Sequence, residues 1–279
     1  MPGAPDPLYV AARRTLLDAL EAVETQLDAI VLVGAQAVYL HTGEGDLAVA
    51  PYTTDGDLVL QPSALTPQPL LEELLANAGF ARAPNDIGAW AKNVSVEGVD
   101  RPMVVDLLVP AGVAGPGRRS VEIPPHDAHA ARKANGLEGA LVDRDPHVLR
   151  ALDPEDGRQF TINVAGPAAL LVSKIIKISE RADRPSRLSD KDALDVLRIL
   201  RAVPTATIRR RMERLLEDPI SVEVTGEALE LMPGLFGTPT SIGCVMAGRA
   251  AEPLEPADII AASTAALAQD LLADMQPGT

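Results

Sequence analysis

The chain has 279 residues, 47% hydrophobic but only 3% aromatic, with a formal net charge of −14 and a single cysteine. That length predicts one large domain or two ordinary ones, with a core of Ala, Val, Leu and Ile rather than aromatic anchors. A lone cysteine excludes an intramolecular disulfide and a cysteine-ligated metal cluster, and the acidic balance argues against a protein that coats nucleic acid indiscriminately. No apolar run reaches the roughly 20 residues of a membrane helix, and the opening MPGAPDP has no secretory pattern. The expected setting is therefore cytoplasmic, with no membrane partner.

From Leu8 to Leu27, apolar residues recur at helical spacing (Leu16, Leu17, Leu20, Val23, Leu27) and predict an amphipathic helix. The run Ile30-Val31-Leu32-Val33 predicts a buried strand ending at Gly34, and Ala35 to Leu40 a short apolar helix. A glycine where a strand turns into a helix lets the backbone approach a phosphate, beside the free N–H groups of the helix start. After a polar loop, Thr53-Thr54-Asp55-Gly56-Asp57 runs into Leu58-Val59-Leu60. Side chains at i and i+2 of a strand share a face, so the Asp55 and Asp57 carboxylates project together. Like charges that close raise each other's pKa unless a cation lies between them, and oxygen-only ligation suits Mg²⁺ or Mn²⁺.

Pro67 then opens a second helix, Leu70 to Ala78, which Gly79 stops. Residues 88 to 96 and 101 to 109 predict two strands joined by a tight turn at Glu97-Gly98-Val99-Asp100. Asp106 is the one acid in the second run, and a carboxylate there needs a partner. A buried acid capped by backbone or an arginine meets that need. Residues 110 to 140 predict irregular chain, with a basic loop at Gly115-Pro116-Gly117-Arg118-Arg119. His126 and His129 are expected at the surface, since no further ligand residue lies near them. Short strands are expected around Leu141-Val142, Val148-Leu149 and Phe160 to Val164.

Pro167 starts a helix, Ala168 to Ala182, which Arg184-Pro185-Ser186 breaks. Ser189 with Asp192 three residues on makes a loose capping box for the next helix. An arginine-rich helix (Thr205 to Leu216), a helix around Ala228, a loop at Pro233 to Gly237, a packed Cys244 and a final alanine-rich helix (Pro256 to Met275) complete the chain. Between Leu170 and Arg214 there are 12 Lys/Arg and six Asp/Glu, a local +6 that leaves −20 elsewhere. Such a stretch is either a basic face for a polyanionic substrate or a set of solvated helix faces.

The glycine turn, the short helix and Thr53-x-Asp55-x-Asp57 entering a strand, in that order, resemble the polymerase-β nucleotidyltransferase superfamily. Within it they resemble the AbiEii-type toxins, which include the MenT group. Lys174, then Arg181, then Asp190-Lys191-Asp192-x-x-Asp195 resembles the second AbiEii signature, a lysine on one helix and Lys-Asp-x-x-Asp on the next. The resemblance covers about residues 28 to 200. The chain departs from the family at Ala35 (usually Gly or Ser), at Gly56 (usually apolar) and near Pro51 (often an arginine).

The resemblance implies an α/β (α+β) nucleotidyltransferase fold, with a mixed-sheet core over residues 1–165 and a mostly helical domain over 166–279. It implies that Asp55 and Asp57 ligate Mg²⁺ or Mn²⁺, with Asp106 completing the site. Gly34, Ala35, Thr53, Thr54, Lys174, Lys177 and Lys191 would contact the nucleotide triphosphate, and Asp192 would act near the acceptor with Asp195 on the same helical face. From the residues alone, Lys174 and Asp192 fit a structural ion pair equally well. The implied reaction moves a nucleoside monophosphate from an NTP to an acceptor, a tRNA 3′ end in the MenT group. The implied role is that of a toxin of a toxin–antitoxin or phage-defence pair, with a cognate antitoxin as partner. Two rivals stay open: a protein or small-molecule hydroxyl as acceptor, and a module that binds nucleotide or a partner without turnover.

Overall fold

The computed structural model describes residues 5–43, 47, 49–84, 86–117, 119–183 and 188–275. Arg118 of the expected basic loop and Arg184 to Arg187 around the expected helix break lie outside them. The chain divides into two compact units, one of residues 1–37, 51–134 and 144–165, the other of residues 38–50, 135–143 and 166–279.

In the first unit the Asp6 carboxylate accepts the Leu8 N–H and opens α1 (Pro7–Ala22), with proline in the first turn where its missing N–H costs nothing. The helix stops short of the expected Leu27, and residues Glu24–Ala29 form a 3-10 turn. The reason is tertiary: the buried Gln26 side chain bonds the backbone of Thr66 and Pro69, which a continued helix would not allow it to reach. The strands are β1 (Ile30–Val33), β2 (Asp55–Leu60), β3 (Ala81–Arg82), β4 (Ala89–Val96), β5 (Val99–Pro110), β6 (Arg132–Ala134), β7 (Arg144–Arg150) and β8 (Gln159–Ala165). After β1 comes α2 (Gly34–Thr42), and before β3 comes α3 (Leu71–Asn77).

All eight strands form one mixed sheet, ordered β3-β4-β5-β2-β1-β8-β7 with β6 alongside β5. The α/β class expected from the sequence is the one observed. β1 runs antiparallel to β2, while β1–β8 and β2–β5 are parallel. The β4–β5 hairpin turns on Glu97 and Gly98, both at positive φ, so β5 begins at Val99 rather than after a four-residue turn. α1 covers one sheet face: Met103 packs with Ala11 and Ala12, and Gly56 lies under Leu16. The alternation of β2 and β5 then sends Asp55, Asp57 and Asp106 to the opposite face.

The second unit is mostly helical: α4 (Pro167–Arg181), α5 (Asp190–Ala202), α6 (Thr205–Glu217), α7 (Val222–Phe236), α8 (Ile242–Ala251) and α9 (Ala257–Met275). Two expectations are corrected there. Leu141-Val142 is no strand, because the N–H groups of Val142 and Asp143 turn back onto the Gly139 carbonyl in a 3-10 turn. The expected loop at Pro233–Gly237 is the last turn of α7, which runs through Pro233; full burial of Phe236 outweighs the hydrogen bond that the proline forfeits. Ser189 stands at the N-cap of α5, but its carbonyl rather than its side chain receives the Asp192 N–H. Among the described residues, no helix is long and apolar enough to cross a membrane.

A Cβ at Gly56 would sit 3.0 Å from the Leu16 Cδ1 atom, so a side chain between the two aspartates would have to displace the end of the Leu16 side chain of α1. Gly56→Ala should cost about 1–3 kcal/mol by overpacking. Leu16→Ala should cost about 2–5 kcal/mol, and in that background Gly56→Ala should cost nothing. Urea unfolding of the four proteins in a double-mutant cycle measures this coupling; additive losses would refute it.

Candidate functional site

The first cluster is built by strand pairing. β2 and β5 are parallel with Asp57 opposite Asp106 and Asp55 opposite Val104, so all three carboxylates stand on one face of the sheet. Asp55 and Asp57 are half-buried, as is Asp106. The Asp106 Oδ2 accepts from Arg132 Nη2 at 2.7 Å, while its Oδ1 is buried with no hydrogen-bond partner. Burial pushes the Asp106 carboxyl above its ordinary value; Arg132 pulls the other way, and the charges of Asp86 and Asp55 push it further up.

Gly34 stands where β1 becomes α2, at φ +69°, a region that L side chains rarely adopt. A Cβ there would fall inside the Asp57 carboxylate. The glycine therefore serves two ends: the left-handed turn into the helix, and contact between the helix start and the second aspartate. Ala35 beside it is buried, and Thr54 is exposed. Thr53 is buried and donates its hydroxyl to the Asp55 carboxylate.

Three residues that the sequence did not single out complete this cluster. Gln36, buried in the first turn of α2, donates its Nε2 to the Asp55 carbonyl at 2.8 Å and accepts from Arg13 Nε at 2.6 Å. Arg13 is itself buried on α1 and bonds the Arg150 carbonyl and the Tyr9 hydroxyl, whose ring it also overlies. Arg132, the partner of Asp106, comes from β6 and is likewise invisible to local sequence reading. The signal for Gln36 and Arg13 was a polar residue at an inward position of an apolar helix.

The second cluster lies in the helical unit. Lys174 of α4 is buried and donates to Asp192 Oδ1 at 2.8 Å and Asp195 Oδ2 at 2.7 Å, both on α5. Lys177, with 40% of its side chain exposed, reaches the same Asp192 oxygen at 3.0 Å, and Arg181 lies 3.8 Å from the other. Burial works against the Lys174 ammonium, but Asp195 and Asp192 outweigh it and hold its pKa above the ordinary lysine value. Burial likewise opposes the Asp192 carboxylate, and Lys174 and Lys177 prevail, so its pKa lies below the usual carboxylate range. Asp195 Oδ1 is buried without a partner. Lys191 is half-buried on the same helix.

The basic stretch is largely engaged within its own unit. Arg209 pairs with Glu213 and Asp274, and Arg211 with the buried Asp143, which also receives the Ala169 N–H at the start of α4. Arg198 is buried on the Val49 carbonyl and the Tyr39 ring. Arg210 and Arg214 are exposed. His126 is corrected from surface to core: it is 6% exposed, with Nδ1 facing the Leu71 N–H and Nε2 the Thr66 carbonyl. His129 is exposed.

The carboxylates of the first cluster suit a hard divalent cation by their chemistry, and the unpartnered Asp106 Oδ1 is the kind of donor such an ion would use. No three His, Cys, Asp or Glu side chains among the described residues converge as a metal-binding group. Comparison with family models, curated proteins and solved structures finds no match for this chain.

Replacing Gly34 by alanine should cost about 1–2 kcal/mol from the left-handed backbone and displace Asp57. A lower melting temperature is the expected result, read by thermal melts. In the second unit, Lys174→Met strands the buried Asp195 carboxylate and leaves Asp192 to Lys177 and Arg181, and should cost about 3–5 kcal/mol at neutral pH. Because the folded pKa of Asp192 is depressed, its contribution is present above the unfolded carboxylate pKa and lost as pH falls toward the folded value. The stability gap between wild type and Lys174→Met should therefore narrow on acidification, measured by urea unfolding across the acid range.

Proposed function

We propose that this chain is a metal-dependent nucleotidyltransferase that moves a nucleoside monophosphate from an NTP to an acceptor hydroxyl. The observation that carries the reading is the sheet face with Asp55, Asp57 and Asp106 beside the Gly34 turn, together with the buried, unpartnered Asp106 Oδ1. Asp55 and Asp57 would hold Mg²⁺ or Mn²⁺, with Asp106 as third donor or as base. The cation, when bound, supplies charge neutralisation at the phosphates. In the reaction, the acceptor oxygen bonds to the α-phosphorus, the bond to the β-phosphate oxygen breaks, and pyrophosphate leaves. The acceptor proton goes to a carboxylate, and the raised pKa of Asp106 suits it to take that proton. The backbone at Gly34 and Ala35 would receive phosphate oxygens.

In this reading the acceptor is a tRNA 3′ end and the chain is a toxin with a cognate antitoxin. The exposed Arg210 and Arg214 can meet a polyanion without first breaking a buried pair. A second reading, nucleotide binding without turnover, is favoured by one observation: Lys174, the lysine assigned to the triphosphate, is held between two buried carboxylates.

Incubation of the purified protein with each α-³²P-labelled NTP, Mg²⁺ and total bacterial RNA, followed by a denaturing gel, separates them. Label in a tRNA-sized band that disappears in Asp55→Ala is the expected result. Label on protein or a small molecule would move the acceptor, and NTP binding with no label anywhere would leave the second reading. Charge reversal at Arg210 and Arg214 should weaken RNA labelling while leaving the melt unchanged.

A further inference from the structure

The antiparallel ladder between β1 and β2 runs out at Val33 opposite Asp57, because the chain turns into α2 at Gly34. Asp55, the first residue of β2, thus lies past the end of β1 and has no residue of that strand opposite it. Its carbonyl nonetheless has a donor: the Gln36 side chain, at 2.8 Å. The Gln36 amide extends the ladder by one bond, from the helix that replaces the strand.

The orientation of that amide is imposed from below. Arg13 Nε donates to the Gln36 oxygen at 2.6 Å, so the nitrogen must face Asp55; the flipped amide would oppose two donors and two acceptors. Arg13 is 3% exposed, and its hydrogen-bond partners are all neutral: Gln36, the Arg150 carbonyl and the Tyr9 hydroxyl. Burial accordingly lowers its pKa, with Tyr9 opposing. A buried guanidinium without a carboxylate is costly, and this one lies one amide away from the strand that carries two like charges.

We infer that Gln36, oriented by Arg13, is a positioning residue for the carboxylate pair: it fixes the backbone of Asp55 relative to Gly34, and hence both acids relative to the phosphate-binding turn. The inference rests on the metal-site reading of Asp55 and Asp57. Gly34 touches Asp57 and Gln36 holds Asp55, so the first turn of α2 grips both acids, one by close contact and one by a hydrogen bond.

The test is Mn²⁺ affinity, followed by the electron paramagnetic resonance signal of free Mn²⁺. Gln36→Glu keeps an acceptor for Arg13 and removes the donor to Asp55; Gln36→Met removes both without adding charge. In each variant that melts cooperatively, the Mn²⁺ dissociation constant, measured well below the melting temperature, should rise by about 10- to 100-fold, as for other residues that orient metal ligands. Wild-type affinity in either folded variant would overturn the positioning role, since a merely structural amide would move the melting temperature and leave metal binding alone. If the wild type itself binds no Mn²⁺, the metal site fails and the inference with it, an outcome distinct from the first.

Discussion

The first unit depends on holding like charges together. Parallel pairing of β2 and β5 in the observed register sets Asp57 opposite Asp106 and leaves Asp55 two residues away on the same face. Three carboxylates so placed repel one another, and the fold answers with local devices. Arg132 takes one oxygen of Asp106, Thr53 donates to Asp55, and the Gly34 backbone approaches Asp57. One buried oxygen on Asp106 is left without a partner. An unsatisfied buried acceptor costs stability.

The opposite face of the same strands shows how packing and chemistry share a sequence. Gly56 separates the two aspartates and points toward α1, where Leu16 occupies the volume that a side chain would need. The acids stand on the other face.

The helical unit solves the reverse problem. Lys174, Asp192 and Asp195 are buried together, so each charge depends on the others. Such groups fix the pairing of α4 with α5 more than they add net stability, because desolvation offsets most of the attraction. Both roles weighed from the sequence, ion pair and site, remain compatible with this cluster, since Lys177 and Arg181 extend it from the buried oxygens toward solvent.

Much of this was legible in the chain itself. Strand-like and helix-like periodicity located β1, α2, β2, the β4–β5 hairpin and α4 to α6, because burial on one face imposes a period that local reading detects. The two-residue spacing of Asp55 and Asp57 was enough to put both carboxylates on one face. What tertiary structure alone decided was partnership. Asp106 joined that face through a register set by β2–β5 pairing, and its arginine arrived from β6. Gln36 acquired meaning because β1 ends one pair too early to serve Asp55, and Arg13 because α1 buries it beneath that amide. Arg209 and Arg211 pair with acids distant in sequence, and His126 was drawn into the core by the backbone of Thr66 and Leu71. Periodicity encodes which face of an element is buried; it carries no information about which distant group will meet that face, and hydrogen bonds and ion pairs are made between such groups.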